Sequence, residues 1–200
     1  MDILTPDEIA AIAAARDITY EPLPSDDPLV VSTRISRVFP ISRDVAFRLF
    51  TDPASHVRLF SIIKGSSTIP REPIAKLMPP NQFWVIEHVE ERDSTPRTML
   101  VKYTLSPPDL IVKEGIPDPF GDLDPPGGGI SILDKKRASV FLRMEPVSDT
   151  QMTLTAESSF QASTGSVFMR GLIDHVWLNF FENLMVELKE LLPSQLMTRP

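Results

Sequence analysis

The stretch GLIDHVWLNFFENLMVELKELLP, residues 171–193, constrains the fold more than any other. It reads as a helix, yet it is apolar over too much of its girth. A helix lying on a protein surface needs only one apolar stripe. At about 100° per residue, its apolar side chains sweep from Leu172 through Val176, Met169, Phe180, Ile173, Leu184, Trp177, Leu188 and Phe181 to Met185. That arc is roughly 220°, about twice what a surface helix shows. A strongly curved partner has to cover it.

The partner is legible upstream. LVVSTRISRVF (29–39) is β-branched and bounded by prolines, so it reads as a strand. PISRDVAFRLFTDPASHVRLF (40–60) reads as two short helices. Ser42 is placed to cap the first, and Asp52-Pro53 ends it and opens the second, which runs through His56 to Phe60. Strand-like runs follow at 61–69, 82–92 and 97–105, and again at 130–147 and 150–162. Several alternate cleanly. Met99, Val101, Tyr103 and Leu105 share one face of theirs; Ala138, Val140, Leu142 and Met144 share another; Met152, Leu154, Ala156 and Phe160 a third. One-faced alternation marks an antiparallel sheet with a wet side and a covered side. Strands in succession without helices between them exclude a doubly wound parallel sheet. The class is α+β: a curved antiparallel sheet of about six to seven strands, two short helices after the first strand, and a long C-terminal helix over 165–192.

Proline punctuates the chain, 20 in 200 residues against a usual ~5%, and its clusters mark the boundaries. TPDE predicts a helix capped by Thr5, with Pro6 at the first position and Glu8 closing a capping box. So short a helix must dock to persist. Residues 1–28 are accordingly expected to be an appendage of helix and proline-rich linker, 29–193 one domain, and 194–200 a tail. Six prolines and five glycines fall between Ser106 and Gly129, so no continuous strand or helix crosses that segment, though DLIVKEGI within it predicts a short strand.

Charge and composition remove function classes. A net charge of −7 with a pI near 5.0 disfavours nucleic-acid and anionic-membrane partners. With no cysteine there are no disulfides or thiolate nucleophiles, which fits a reducing compartment. MDILTPDEIAAIAAARD lacks the pattern of a signal peptide, and no run approaches the ~18 apolar residues of a membrane span. A cytoplasmic location without membrane insertion is expected.

No catalytic signature stands out. There is no HExxH, no GxSxG and no glycine-rich phosphate loop, so neither a metal nor a cofactor is expected. Asp118, Asp122 and Asp124 lack the calcium-loop pattern and read as an acidic loop. His56 reads as a solvated or capping residue, and His175 as exposed beside Asn179 and Glu182. Either Glu87 or His88 must face inward, because side chains alternate along a strand, and the sequence leaves that choice open. Arg170 and Asp174, four apart within the helix arc, read first as an ion pair and second as a polar anchor for a ligand. Tyr103 lies on an apolar strand face, where a buried tyrosine needs a partner for its hydroxyl; a ligand is one candidate.

RVFPISRDVAFRLFTDP (37–53) and the terminal GLIDHVWLNFFENLMVELKELL resemble the helix-grip fold of the START and birch-pollen-allergen-like superfamily, also called SRPBCC, which includes polyketide cyclases and lipid carriers. The similarity covers roughly residues 29–192 and is a pattern of apolar positions. It implies an apolar ligand held between the long helix and the sheet. The expected walls are Met99, Val101, Tyr103, Leu142, Met144, Leu154, Ala156, Phe160, Met169, Ile173, Val176 and Phe180. Glu87, His88, Arg170 and Asp174 are the candidate polar groups. The resemblance also places the loop 116–129, with Phe120, beside the entrance. Three functions follow: binding of a small hydrophobic molecule, cyclase or dehydratase chemistry on an aromatic or polyketide-like substrate, or a packed-core interaction protein without a ligand.

Overall fold

The computed structural model describes residues 4–27, 29–68, 79–89, 97–116, 133–162 and 166–196. Among them, helices α1 (Pro6–Ala15), α2 (Arg43–Thr51), α3 (Pro53–Leu59) and α4 (Ser166–Leu196) accompany eight strands: β1 (Thr19–Leu23), β2 (Val30–Phe39), β3 (Ile63–Thr68), β4 (Gln82–Val89), β5 (Arg97–Ser106), β6 (Leu110–Ile116), β7 (Leu133–Ser148) and β8 (Gln151–Ala162). The strands form one curved sheet in the order β1-β2-β8-β7-β6-β5-β4-β3. Every adjacent pair is antiparallel. Register shifts interrupt β7 near both its ends and β3 at its start. Such bulges bend a strand and add twist, which lets a sheet curl around a helix.

The α+β helix-grip architecture is present, with eight strands instead of six or seven. The extra one is β1, in the stretch read as a proline-rich linker; it lies on the edge of β2 with Tyr20 opposite Ile35. Edge position suits a strand containing Pro22, whose missing N–H breaks no central ladder. The predicted strand within DLIVKEGI is β6, while the expected loop 116–129 lies, beyond Ile116, outside the described residues.

The local signals explain the helices. Thr5 and Glu8 close their capping box reciprocally, and α1 buries Ile9 and Ala13. Asp52 caps α3 by accepting from the Ala54 N–H. Ser42 stands at the start of α2 without a side-chain capping bond. The long helix passes Pro193 and ends at Leu196.

The girth of α4 is covered from more than one direction. Trp177, Phe180, Phe181, Leu184 and Leu188, all on the expected arc, are buried. So is Leu178, which lies beyond it. The helix packs against β2 of the sheet and also against α3 and α1. The sheet therefore shares the covering with two helices. Phe181 meets Phe39 with ring centroids 5.4 Å apart, and Phe180 meets Phe50 at 5.9 Å. Aromatic pairs at such separations add to the ~1.5–3 kcal/mol that burying each ring contributes.

Candidate functional site

Among the described residues the inner face of the sheet is apolar along most of its width, and its two charged residues, Glu87 and Lys113, come together. The register of β4 with β5 settles which side chain of β4 points inward: Glu87 is buried, and His88 is exposed and bonds Thr98 across the strand pair. On the next strands Tyr103 and Lys113 stand directly opposite each other, both inward and buried. Helix α3 contributes the fourth member. Its buried face is Ser55, His56 and Leu59, and it packs on β3 and α4, so His56 is pressed into the interior.

These four side chains meet. The Tyr103 hydroxyl donates to Glu87 Oε1 at 3.0 Å and lies 3.0 Å from His56 Nδ1. His56 Nδ1 is 3.4 Å and Lys113 Nζ 3.3 Å from the same carboxylate oxygen. His56 Nε2 lies 2.9 Å from the Phe50 carbonyl, which can only accept, so this nitrogen carries a proton. That carbonyl is in the last turn of α2, where helix carbonyls lack internal partners. His56 thus caps α2, as one reading of the sequence had it, but it does so from the interior and not from solvent.

The protonation states follow. Burial alone would raise the Glu87 carboxyl, but the Lys113 charge, the His56 contact and the Tyr103 bond outweigh it and hold it down at about 2. Burial, then the Glu87 charge and the bond to it, push the Tyr103 phenol well above its ordinary value. Glu87 is therefore an anion beside a neutral phenol. With the proton of His56 on Nε2, its Nδ1 is a second acceptor within reach of the Tyr103 hydroxyl, beside Glu87 Oε1.

Aromatic rings wall it in. Tyr103 stacks between Phe83, 4.7 Å away, and the His56 ring, 5.5 Å away. Lys113 Nζ sits 4.9 Å from the centre of the Phe60 ring and 5.1 Å from that of Tyr103. Such cation–π contacts help hold an ammonium away from water. Phe60 stacks on Phe180 at 4.5 Å and meets Trp177 edge-on at 5.7 Å. The Trp177 indole donates to Ser158 Oγ on the inner face of β8 at 2.8 Å. The rings thus run from the sheet to α4. Beside the cluster, Ser66 stands opposite Glu87 in the β3–β4 register, and its buried hydroxyl has no partner among the described residues.

Of the wall residues named from sequence, Val101, Tyr103, Leu142, Met144, Leu154, Ala156 and Phe180 are buried, and Phe160 and Val176 half-buried. The side chains of Met99, Met169, Arg170 and Ile173 lie outside the described residues. Among the polar candidates, Glu87 enters the cluster, and His88 is corrected to an exposed position because it lies on the other strand face. The Tyr103 hydroxyl finds its partners within the protein, where a ligand had been one candidate. Asp174 is fully buried and accepts from the Tyr20 hydroxyl at 2.7 Å, which ties β1 to α4. His175 is half-buried and bonds Asn179. Sequence reasoning missed Lys113. Its signal is the alternation Ile111, Lys113, Gly115 against Leu110, Val112, Glu114, in which both faces carry apolar residues and a charge.

Among the described residues there is no group of side chains suited to holding a metal ion, and no helix is long and apolar enough to cross a membrane.

No family model matches the chain, and no curated protein matches it. Solved structures do. The STAR-related lipid transfer protein of Xanthomonas axonopodis superposes with a TM-score of 0.65 at 13% identity, over 86% of this chain and 94% of that one. A START superfamily protein of Mycobacterium smegmatis gives 0.59 at 12% identity, over 81% and 98%. The Zhui aromatase/cyclase of Streptomyces sp. R1128 gives 0.54 at 11% identity, over 77% and 93%. Identities this low carry the fold and nothing finer. The chain shares the helix-grip fold of these structures.

Proposed function

We propose that this protein binds a small hydrophobic molecule between α4 and the sheet, with the Glu87–Tyr103–His56–Lys113 cluster as the polar end of the site. The observation that carries this reading is the cluster itself. A buried ion pair adds little to stability compared with well-packed apolar residues of the same volume. Buried groups with displaced proton affinities gather where ligands and chemistry are handled. An apolar inner face with one such island suits an apolar ligand that carries a polar group. Neighbours of the same fold named as a lipid transfer protein and an aromatase/cyclase fit this reading.

The test is native mass spectrometry of the purified protein, followed by titration with the neutral fluorophore N-phenyl-1-naphthylamine. A co-purified small molecule or saturable one-to-one fluorophore binding supports the reading. Neither would leave a packed-core interaction protein as the better account.

A second reading, a cyclase or dehydratase acting in the same place, is favoured by one observation. The Tyr103 hydroxyl lies 3.0 Å from both Glu87 and His56, a geometry for general acid–base transfer at a bound carbonyl or hydroxyl. Its signature is substrate turnover lost in Tyr103→Phe while fluorophore binding persists.

A further inference from the structure

Glu87 and Lys113 do not exhaust each other. Tyr103, His56 and Lys113 all meet Glu87 at Oε1, and among the described residues Oε2 accepts no hydrogen bond. Lys113 has three N–H donors. Its one polar partner among the described residues is that same Oε1, and its other close neighbours are two ring faces. Neither side chain is sealed: Lys113 keeps 9% of its surface and Glu87 6%. An unused donor and an unused acceptor therefore stand side by side against an apolar face.

We infer that the molecule bound here carries a hydroxyl, as an alcohol or phenol, that accepts from Lys113 Nζ and donates to Glu87 Oε2. This rests on the hydrophobic-ligand reading above. A hydroxyl is the smallest group that fills both valences. A carboxylate accepts from Lys113 but sets a second anion against an ionised Glu87. A ketone leaves Oε2 bare, and an ammonium faces Lys113. A hydrocarbon leaves both groups unmatched, which a buried site penalises. The site thus selects by polar group, while the rings and aliphatic side chains around it accept a range of skeletons.

The experiment displaces N-phenyl-1-naphthylamine from the wild-type protein at neutral pH with compounds matched in skeleton: 2-naphthol against 2-naphthoate and naphthalene, and decan-1-ol against decanoate. The hydroxyl compound of each pair is expected to compete at a concentration about tenfold or more below its carboxylate. In Glu87→Gln, Lys113 loses its counter-charge and the preference shifts toward the carboxylates. Carboxylates that compete as well as or better than the alcohols in the wild type would overturn the inference and leave hydrophobic binding standing. Absence of saturable fluorophore binding would overturn the binding reading itself. The wild-type comparison needs no variant, so a Glu87→Gln chain that failed to fold would leave the test intact.

Discussion

Lys113 Nζ lies 3.3 Å from Glu87 Oε1, and both side chains are more than nine-tenths buried. Opposite charges at that distance inside a protein depend on each other, because either one alone is an uncompensated charge away from water. Replacing Lys113 with Met is expected to destabilise the fold by about 3–5 kcal/mol, and replacing both residues with apolar ones by clearly less. Urea denaturation of the two single variants and the double variant closes the cycle. Additive losses would mean that the pair is not coupled.

The same carboxylate sets an acid limit. Its folded value of about 2 lies below the ordinary 4.5, so its contribution to stability is fully present above 4.5. It is lost as the pH falls from there toward 2, and amounts to roughly 3 kcal/mol. Glu87→Gln is expected to flatten the dependence of unfolding free energy on pH in that window. An unchanged slope would place the proton uptake on other groups.

Much of this arrangement was legible in the sequence, for physical reasons. The excess apolar girth of residues 171–193 called for a curved cover, and one-faced alternation in β5, β7 and β8 supplied it. What the sequence left hidden came from long-range packing. A period of two says that Glu87 and His88 face opposite ways, but only the register with β5 says which way is in. His56 looked like a surface residue because its own helix is seven residues long, too short to show a face. Its burial comes from β3 and α4, distant in the chain. Lys113 was masked by a strand with apolar residues on both faces. β1 reads as linker in the sequence because the three prolines of YEPLPSDDP (20–28) outweigh its Thr and Tyr.

Tyr103 carries the next prediction. Burial and the neighbouring anion keep its phenol protonated well beyond the ordinary range. The chain has two tyrosines, so in Tyr20→Phe all tyrosinate absorbance must come from Tyr103. That absorbance is expected to appear only as the protein unfolds at alkaline pH. A titration completed before the loss of circular dichroism would contradict the site as described.

Tyr20→Phe has its own cost. It removes a 2.7 Å bond from β1 to the buried Asp174 of α4, and a side-chain hydrogen bond contributes about 0.5–1.5 kcal/mol net. Thermal unfolding should shift down accordingly, and amide exchange in β1 should accelerate relative to β8. A shift without local change in β1 would argue that this contact does not hold the edge strand in place.

The proposed ligand site on the inner face of the sheet beneath α4 is tested most directly by an isotope-filtered NOE experiment on the labelled protein saturated with N-phenyl-1-naphthylamine. Contacts are expected from the probe to the methyl groups of Val101 and Leu142 and to the Phe180 ring. Contacts confined to the exposed Val38, Val147 and Val186 would place the probe on the outside of the fold and contradict the proposal.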